Sequence, residues 1–277
     1  MASTTALAYK ERDSVIHKLT GTTKLVFFLL WSFGAMFTYD TRVLLAMFLI
    51  SLLLFRLSKI KWNEVRFALI FMFTLILINM AAIYFFAPEQ GVKIYGTRHE
   101  IIRLFLNYSV TWEQLFYMFS FTMKYFAVIP VSLLFIMTTN PSEFASSLNH
   151  IGVSYRVGYS VSIALRYIPD IKRDYHNIMQ AQQARGLELS SKDKLIKRLK
   201  NSALILLPLI LSSINRIEVI SNAMELRGFG KNKKRTWYVE RPFAWQDVLA
   251  ICIGIATAAI SLLVVAKSGS RFYNPFI

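Results

Sequence analysis

The sequence predicts an all-α integral membrane protein with about five transmembrane helices and a large basic region outside the bilayer. Three observations lead there. Of 277 residues 55% are apolar and 17% charged, with a mean hydropathy of +0.43, values that belong to the membrane class. The apolar residues gather into long runs divided by polar turns. Between the last two runs lies a segment, residues 138–246, that carries 17 Lys or Arg against 8 Asp or Glu and writes one short phrase twice.

The organisation is then an N-terminal transmembrane region, 1–137, with four spans at about 23–39, 43–57, 66–86 and 115–137. A cytoplasmic coupling domain, 138–246, comes next, and a last transmembrane helix with its tail, 247–277, closes the chain. Residues 1–22 are polar and basic and lack the apolar core and small-residue cleavage site of a signal peptide. Leu25–Tyr39 and Val43–Leu57 are short for a hydrocarbon core of about 30 Å. Flanking Thr22–Lys24 and a snorkelling Arg56 extend them, and the Asp40-Thr-Arg42 turn makes them a hairpin. Phe67–Phe86 runs twenty residues without a charge. Asn79 inside it reads as an interhelical hydrogen-bonding residue.

Ala87–Glu113 is mixed, and its Ile101–Leu106 piece reads as a short interfacial helix. The fourth run, Leu115–Met137, contains Lys124 and Pro130; Lys124 reads as a cation that snorkels or pairs inside the bundle. Within the basic segment only Ala203–Leu211 is strongly apolar, and at nine residues it reads as too short to cross. Val248–Val265 is the last span. Placing the basic segment in the cytoplasm makes every inside loop the more basic one, as topology requires. The net charge of +16 is then mostly topology plus one docking surface, which removes the nucleic-acid reading.

The repeated phrase is Ala181-Gln-Gln-Ala184-Arg185-Gly186 and Ala223-Met-Glu-Leu226-Arg227-Gly228, with the arginines 42 residues apart. Each closes a helical pattern with an upstream proline, Pro169 or Pro208. The helices are read as Arg156–Arg185 and Lys192–Arg227, with bends at the prolines. Gly186 and Gly228 sit where a left-handed residue stops a helix. Each arginine then falls in the last turn, where the helix dipole favours a cation. The alanine one turn earlier shares the arginine's face, so the helix end can enter a groove while the guanidinium reaches forward. An Arg-Gly pair alone is an ordinary stop signal; two matched copies point to docking.

The chain resembles the T component of energy-coupling factor (ECF) transporters, of the EcfT/CbiQ type. The resemblance spans nearly the whole length. It rests on Ser14-Val-Ile-His17-Lys-Leu19 with Lys24-Leu25, on Thr138-Thr-Asn-Pro141 through Leu148, on Ile151-Gly152-Val153-Ser154, on Arg166-Tyr-Ile-Pro169, and above all on Ala184-Arg185-Gly186 and Leu226-Arg227-Gly228-Phe229. It implies a multi-pass protein of the bacterial plasma membrane whose long coupling helices cross in the cytoplasm. It also implies two ABC ATPase partners docked at Arg185 and Arg227, and a membrane S component that binds the vitamin or metal. Leu204, Leu207, Pro208 and Leu211 would contact the S component. ATP and Mg would be bound by the ATPases and no cofactor by this chain.

No P-loop is present, because Gly228-Phe-Gly230-Lys231 lacks both the spacing and the hydroxyl. His17, His99, His150 and His176 show no ligand spacing, and the single Cys252 excludes a disulfide framework. Two other functions stand beside the resemblance. A conventional ABC permease would form the substrate path itself. A lipid-modifying membrane enzyme needs convergent polar residues in the spans, for which Asn79 and Lys124 are too few.

Overall fold

The computed structural model describes residues 9–105, 108–186, 195–232, 236–238 and 241–276. It divides into two compact units, Met1–Asn140 with Arg241–Ile277, and Pro141–Glu240.

The first unit contains α1 (Val15–Lys18), α2 (Gly21–Phe37), α3 (Thr41–Leu57), α4 (Trp62–Phe86), α5 (Gln90–Tyr95), α6 (Trp112–Thr138) and α10 (Trp245–Ser268). Their ends follow local chemistry. Thr20 caps α2 by accepting from Thr23 N, Asp40 accepts from Arg42 N at the start of α3, and Thr111 caps α6 through Gln114 N. The core lies between α2, α3 and α6, where Trp31, Ala35, Leu44, Met47, Ala127 and Val131 pack together. Trp31 is fully buried and donates its Nε1 proton to Ala127 O at 2.9 Å, satisfying its polar atom inside an apolar layer. A second cluster, Val65, Ala68, Leu133 and Met137, seats α4 on α6. Helix α10 approaches α2 closely: a Cβ on Gly34 would stand 3.1 Å from Ala258 Cα, the small-residue contact that membrane helices use in place of a hydrophobic drive.

Three polar ties close this unit. Asp247, 1% exposed, accepts from Thr20 N at 2.8 Å, Thr20 Oγ1 at 3.0 Å and Ala244 N at 2.9 Å, joining the starts of α2 and α10. Lys24, also buried, donates to Thr138 O at 2.8 Å and His17 O at 3.3 Å. At the other end the chain's last residues return: Tyr39 N donates to Arg271 O at 2.8 Å, and Tyr39 stacks on Phe272 at 4.6 Å.

Several sequence expectations change here. The interfacial helix expected at Ile101–Leu106 is not found over Ile101–Phe105, which belong to strand β1, Glu100–Phe105, paired antiparallel with β2, Tyr108–Thr111; Leu106 lies outside the described residues. The β-branched residues Ile101, Ile102, Val110 and Thr111 suit a pleated ribbon, and the pairing supplies backbone partners that six isolated residues lack as a helix. Asn79 Oδ1 is buried, and the anticipated interhelical hydrogen bond is not made among the described residues. Lys124 does pair inside the bundle, donating to Met36 O at 2.8 Å with its ammonium 3.8 Å from the Tyr39 ring.

Among the described residues four helical stretches are long and apolar enough to cross a membrane: Trp62–Phe86, Trp112–Thr138, Ser202–Leu226 and Trp245–Ser268. Helix α2 is apolar but shorter, at 17 residues, and α3 has the same length. The third stretch differs from the reading of Ala203–Leu211 as too short, because the helix runs on past Leu211 through Ser212 and Ser213 to Leu226. The continuation itself agrees with the helix read as running to Arg227; what differs is that the stretch as a whole is apolar enough to cross.

The second unit is helical too: α7 (Pro141–His150), α8 (Tyr155–Ala184) and α9 (Leu195–Leu226). Gly158 fits α8 against α7, since a Cβ there would come within 2.9 Å of Ala145 O and 3.4 Å of the Trp237 ring. Trp237 Nε1 in turn donates to Asn149 Oδ1 at 3.3 Å.

Candidate docking site on the paired helices

Helix α8 has 30 residues and α9 has 32, so each is roughly 45–50 Å long at 1.5 Å per residue. Pro169 and Pro208 lie inside them, and both helices continue through their proline. The start predicted at Lys192 falls outside the described residues; the described helix begins at Leu195.

The two helices pair antiparallel. Asp174 on α8 meets Arg216 on α9 at 2.6 Å, and the Arg216 guanidinium lies 5.7 Å from the Tyr167 ring centre. Beyond the end of α9, Phe229 packs on Tyr159 at 4.9 Å and Tyr155 at 5.6 Å, residues that begin α8. Arg156 Nη2 donates to Gly230 O at 2.8 Å and fixes the same turn. The end of α9 therefore lies beside the start of α8.

Both helices stop in the same way. After α9, Gly228 N donates to Glu225 O at 2.8 Å and Phe229 N to Met224 O at 3.0 Å, with Gly228 at φ +66°. These two bonds and the left-handed glycine make a Schellman stop, which satisfies carbonyls the helix leaves open. After α8, Gly186 N donates to Gln183 O at 2.9 Å with φ +88°. Arg185 and Arg227 thus hold the same place, the residue just before the left-handed glycine. A Cβ on Gly186 or Gly228 would meet nothing within 4 Å, so the sign of φ, and not crowding, selects glycine at both.

Antiparallel pairing puts these matched ends far apart. Arg227 lines a cleft of about 200 Å³ with Tyr159, Arg166, Tyr167, Met224 and Phe229. Arg185 lies about 20 residues further along α8, roughly 30 Å at the helical rise. Ala184, Arg185 and Gly186 are exposed, as are Leu226, at 90%, and Arg227; Gly228 is half-buried. On α9, Leu204, Leu207 and Leu211 are 49%, 61% and 55% exposed, with Pro208 half-buried. Their spacing of three and four residues forms one apolar stripe.

Sequence reasoning missed what holds the second end in place. Phe229 was part of the quoted phrase, but its partners Tyr155 and Tyr159 are seventy residues or more upstream. The Asp174–Arg216 bridge and the Gly158 seat gave no local signal either. His176, one of the four histidines without ligand spacing, is exposed and its Nδ1 lies 2.9 Å from Lys172 O.

Apolar helices long enough to cross a membrane and a family match mark this chain as a membrane transport subunit. The chain belongs to the CbiQ family, Cobalt transport protein, which matches residues 12–238. It is similar to the energy-coupling factor transporter transmembrane protein EcfT of Streptococcus equi subsp. equi (strain 4047), 28% identical over 95% of this chain and 96% of that one. The protein of the same name in Staphylococcus aureus (strain 04-02981) is 26% identical over 94% and 96%. That of Lactococcus lactis subsp. cremoris (strain MG1363) is 29% identical over 92% and 95%. The family anticipated from the motifs is the family found.

Proposed function

We propose that this chain is the T component of an ECF-type importer in a bacterial plasma membrane. Its coupling segment, residues 138–246, and its N-terminus would face the cytoplasm. Two ABC ATPases, which bind ATP and Mg, dock at the ends marked by Ala184-Arg185-Gly186 and Leu226-Arg227-Gly228. Their closure moves the paired helices, and the movement passes to an S component carrying a vitamin or other micronutrient. The apolar stripe of Leu204, Leu207, Pro208 and Leu211 is the S-component contact. The chain itself performs no hydrolysis.

One observation carries this reading: two arginines in the same exposed helix-stop position, at opposite ends of one antiparallel pair. A planar guanidinium there can make several hydrogen bonds at once to carboxylates or carbonyls of a partner groove. Arg185→Ala with Arg227→Ala tests it. The double variant should insert in the membrane normally but lose ATPase association and uptake; each arginine removes about 2 kcal/mol if it is an interface hot spot. Normal uptake by the double variant overturns the docking role. A purified complex of one such chain, two ATPases and a third small membrane protein separates this reading from a conventional permease.

A further inference from the structure

The phrase Arg166-Tyr-Ile-Pro169 carries part of the family resemblance, yet the docking role uses none of it. Its arginine stands at the second helix end. Arg166 on α8 and Arg227 just past α9 line the same cleft of about 200 Å³. Tyr159, Tyr167, Met224 and Phe229 form aromatic and apolar walls around them.

The charge of this cleft is one-sided. No Asp or Glu is among its lining residues. Arg166 is exposed and makes no hydrogen bond or ion pair among the described residues. The acids further along its own helix face the neighbouring groove: Asp170 bonds Arg173 at 3.1 Å and Asp174 bonds Arg216 at 2.6 Å. Glu225 lies two positions before Arg227, a spacing that does not bring side chains together on a helix.

Two guanidinium groups on one open cleft are tolerable while water screens them. A partner that covers the cleft takes that water away, and the two cations then repel and stand desolvated unless the partner brings an anion. A carboxylate answers both, because its two oxygens can each meet the planar fork of one arginine. We infer that Arg166 is a second binding residue of the docking end at Arg227, where one Asp or Glu side chain of the docked ATPase lies between the two arginines. The inference rests on the docking role proposed above. Since Arg166 belongs to α8 and Arg227 to the end of α9, the bound carboxylate also ties the two helices together at this end.

The test uses the full chain co-expressed with its ATPases, and reads their association by pull-down from membranes. Arg166→Ala should weaken association about tenfold without moving the thermal midpoint, since the side chain is exposed. Arg166→Lys, which keeps the cation, should recover most of the loss. In Arg166→Ala with Arg227→Ala the loss should depart from the product of the two single losses by about threefold or more, because both arginines meet one group. Carbodiimide treatment of the Arg166→Lys complex should join the new amine to an Asp or Glu of an ATPase as an amide, located by mass spectrometry. An amide formed only with an acid of this chain, no amide at all, or strictly multiplicative losses overturns the inference. Arg166→Ala without effect where Arg227→Ala weakens association overturns it too and leaves the docking role standing; if neither variant weakens association, both fall.

Discussion

Phe229→Ala asks whether the second arginine works only when its turn is pinned. Phe229 makes two aromatic contacts, at 4.9 Å to Tyr159 and 5.6 Å to Tyr155, and is only partly exposed. Each aromatic pair contributes about 0.5–1.5 kcal/mol, so truncation removes about 2 kcal/mol from the anchoring of residues 227–231. At 1.4 kcal/mol per factor of ten, the loosened turn becomes about 30-fold more populated. The Arg156 bond to Gly230 O remains, which limits the change to the turn and leaves α9 itself helical. Hydrogen exchange should therefore speed up by about that factor at Phe229, whose amide donates to Met224 O, and hardly at all near Arg216. ATPase association, measured by pull-down from membranes, should weaken by a similar factor although Arg227 is still present. Faster exchange with undiminished association would refute the idea that the turn presents the arginine in a set direction. Unchanged exchange would refute the anchoring itself.

Three further outcomes are expected. Gly158→Ala adds a Cβ within 2.9 Å of Ala145 O; overpacking of about 1–3 kcal/mol outweighs a helix-propensity gain of about 1 kcal/mol, so the thermal midpoint should fall, and a rise would show that α7 yields easily. His17 is buried, and burial first, then the charge of Lys24, holds its pKa below the usual 6.5. The unfolded chain then takes up a proton more readily, so His17's contribution is complete above pH 6.5 and is lost as pH falls through its depressed folded value. Melting curves of His17→Gln should show a smaller acid-side loss than the parent protein. Finally, Gln183→Cys in a Cys252→Ser background should react with an impermeant maleimide only when the cytoplasmic face is open; labelling of intact cells from outside would invert the topology.

The helix ends were the most legible part of the chain. An Arg-Gly stop is a local instruction, written in side-chain volume and the sign of φ. The described limits, Tyr155–Ala184 and Leu195–Leu226, lie close to those read from the phrase. The runs that became α4, α6 and α10 were equally readable, since twenty apolar residues have few alternatives. What could not be read depended on distant partners. Ile101–Phe105 looks amphipathic alone and becomes a strand only because Tyr108–Thr111 can pair with it. Asn79 announces a hydrogen bond, yet its partner is not supplied by the described residues. The antiparallel sense of α8 and α9 is set by Asp174 with Arg216 and by Phe229 with two tyrosines, contacts that no periodicity within either helix contains. The unbroken run Ala203–Leu211 also understated how apolar α9 is, because serines and an asparagine interrupt the run without ending a stretch long and apolar enough to cross a membrane.

The antiparallel sense has a mechanical corollary. A beam resting on two supports answers their approach by swivelling, whereas one fastened at a single end would merely be dragged. In the docking proposed above, with roughly 30 Å between the two arginine tips, convergence of the two supports would turn the pair rather than drag it, with the Asp174–Arg216 bridge lying between the tips.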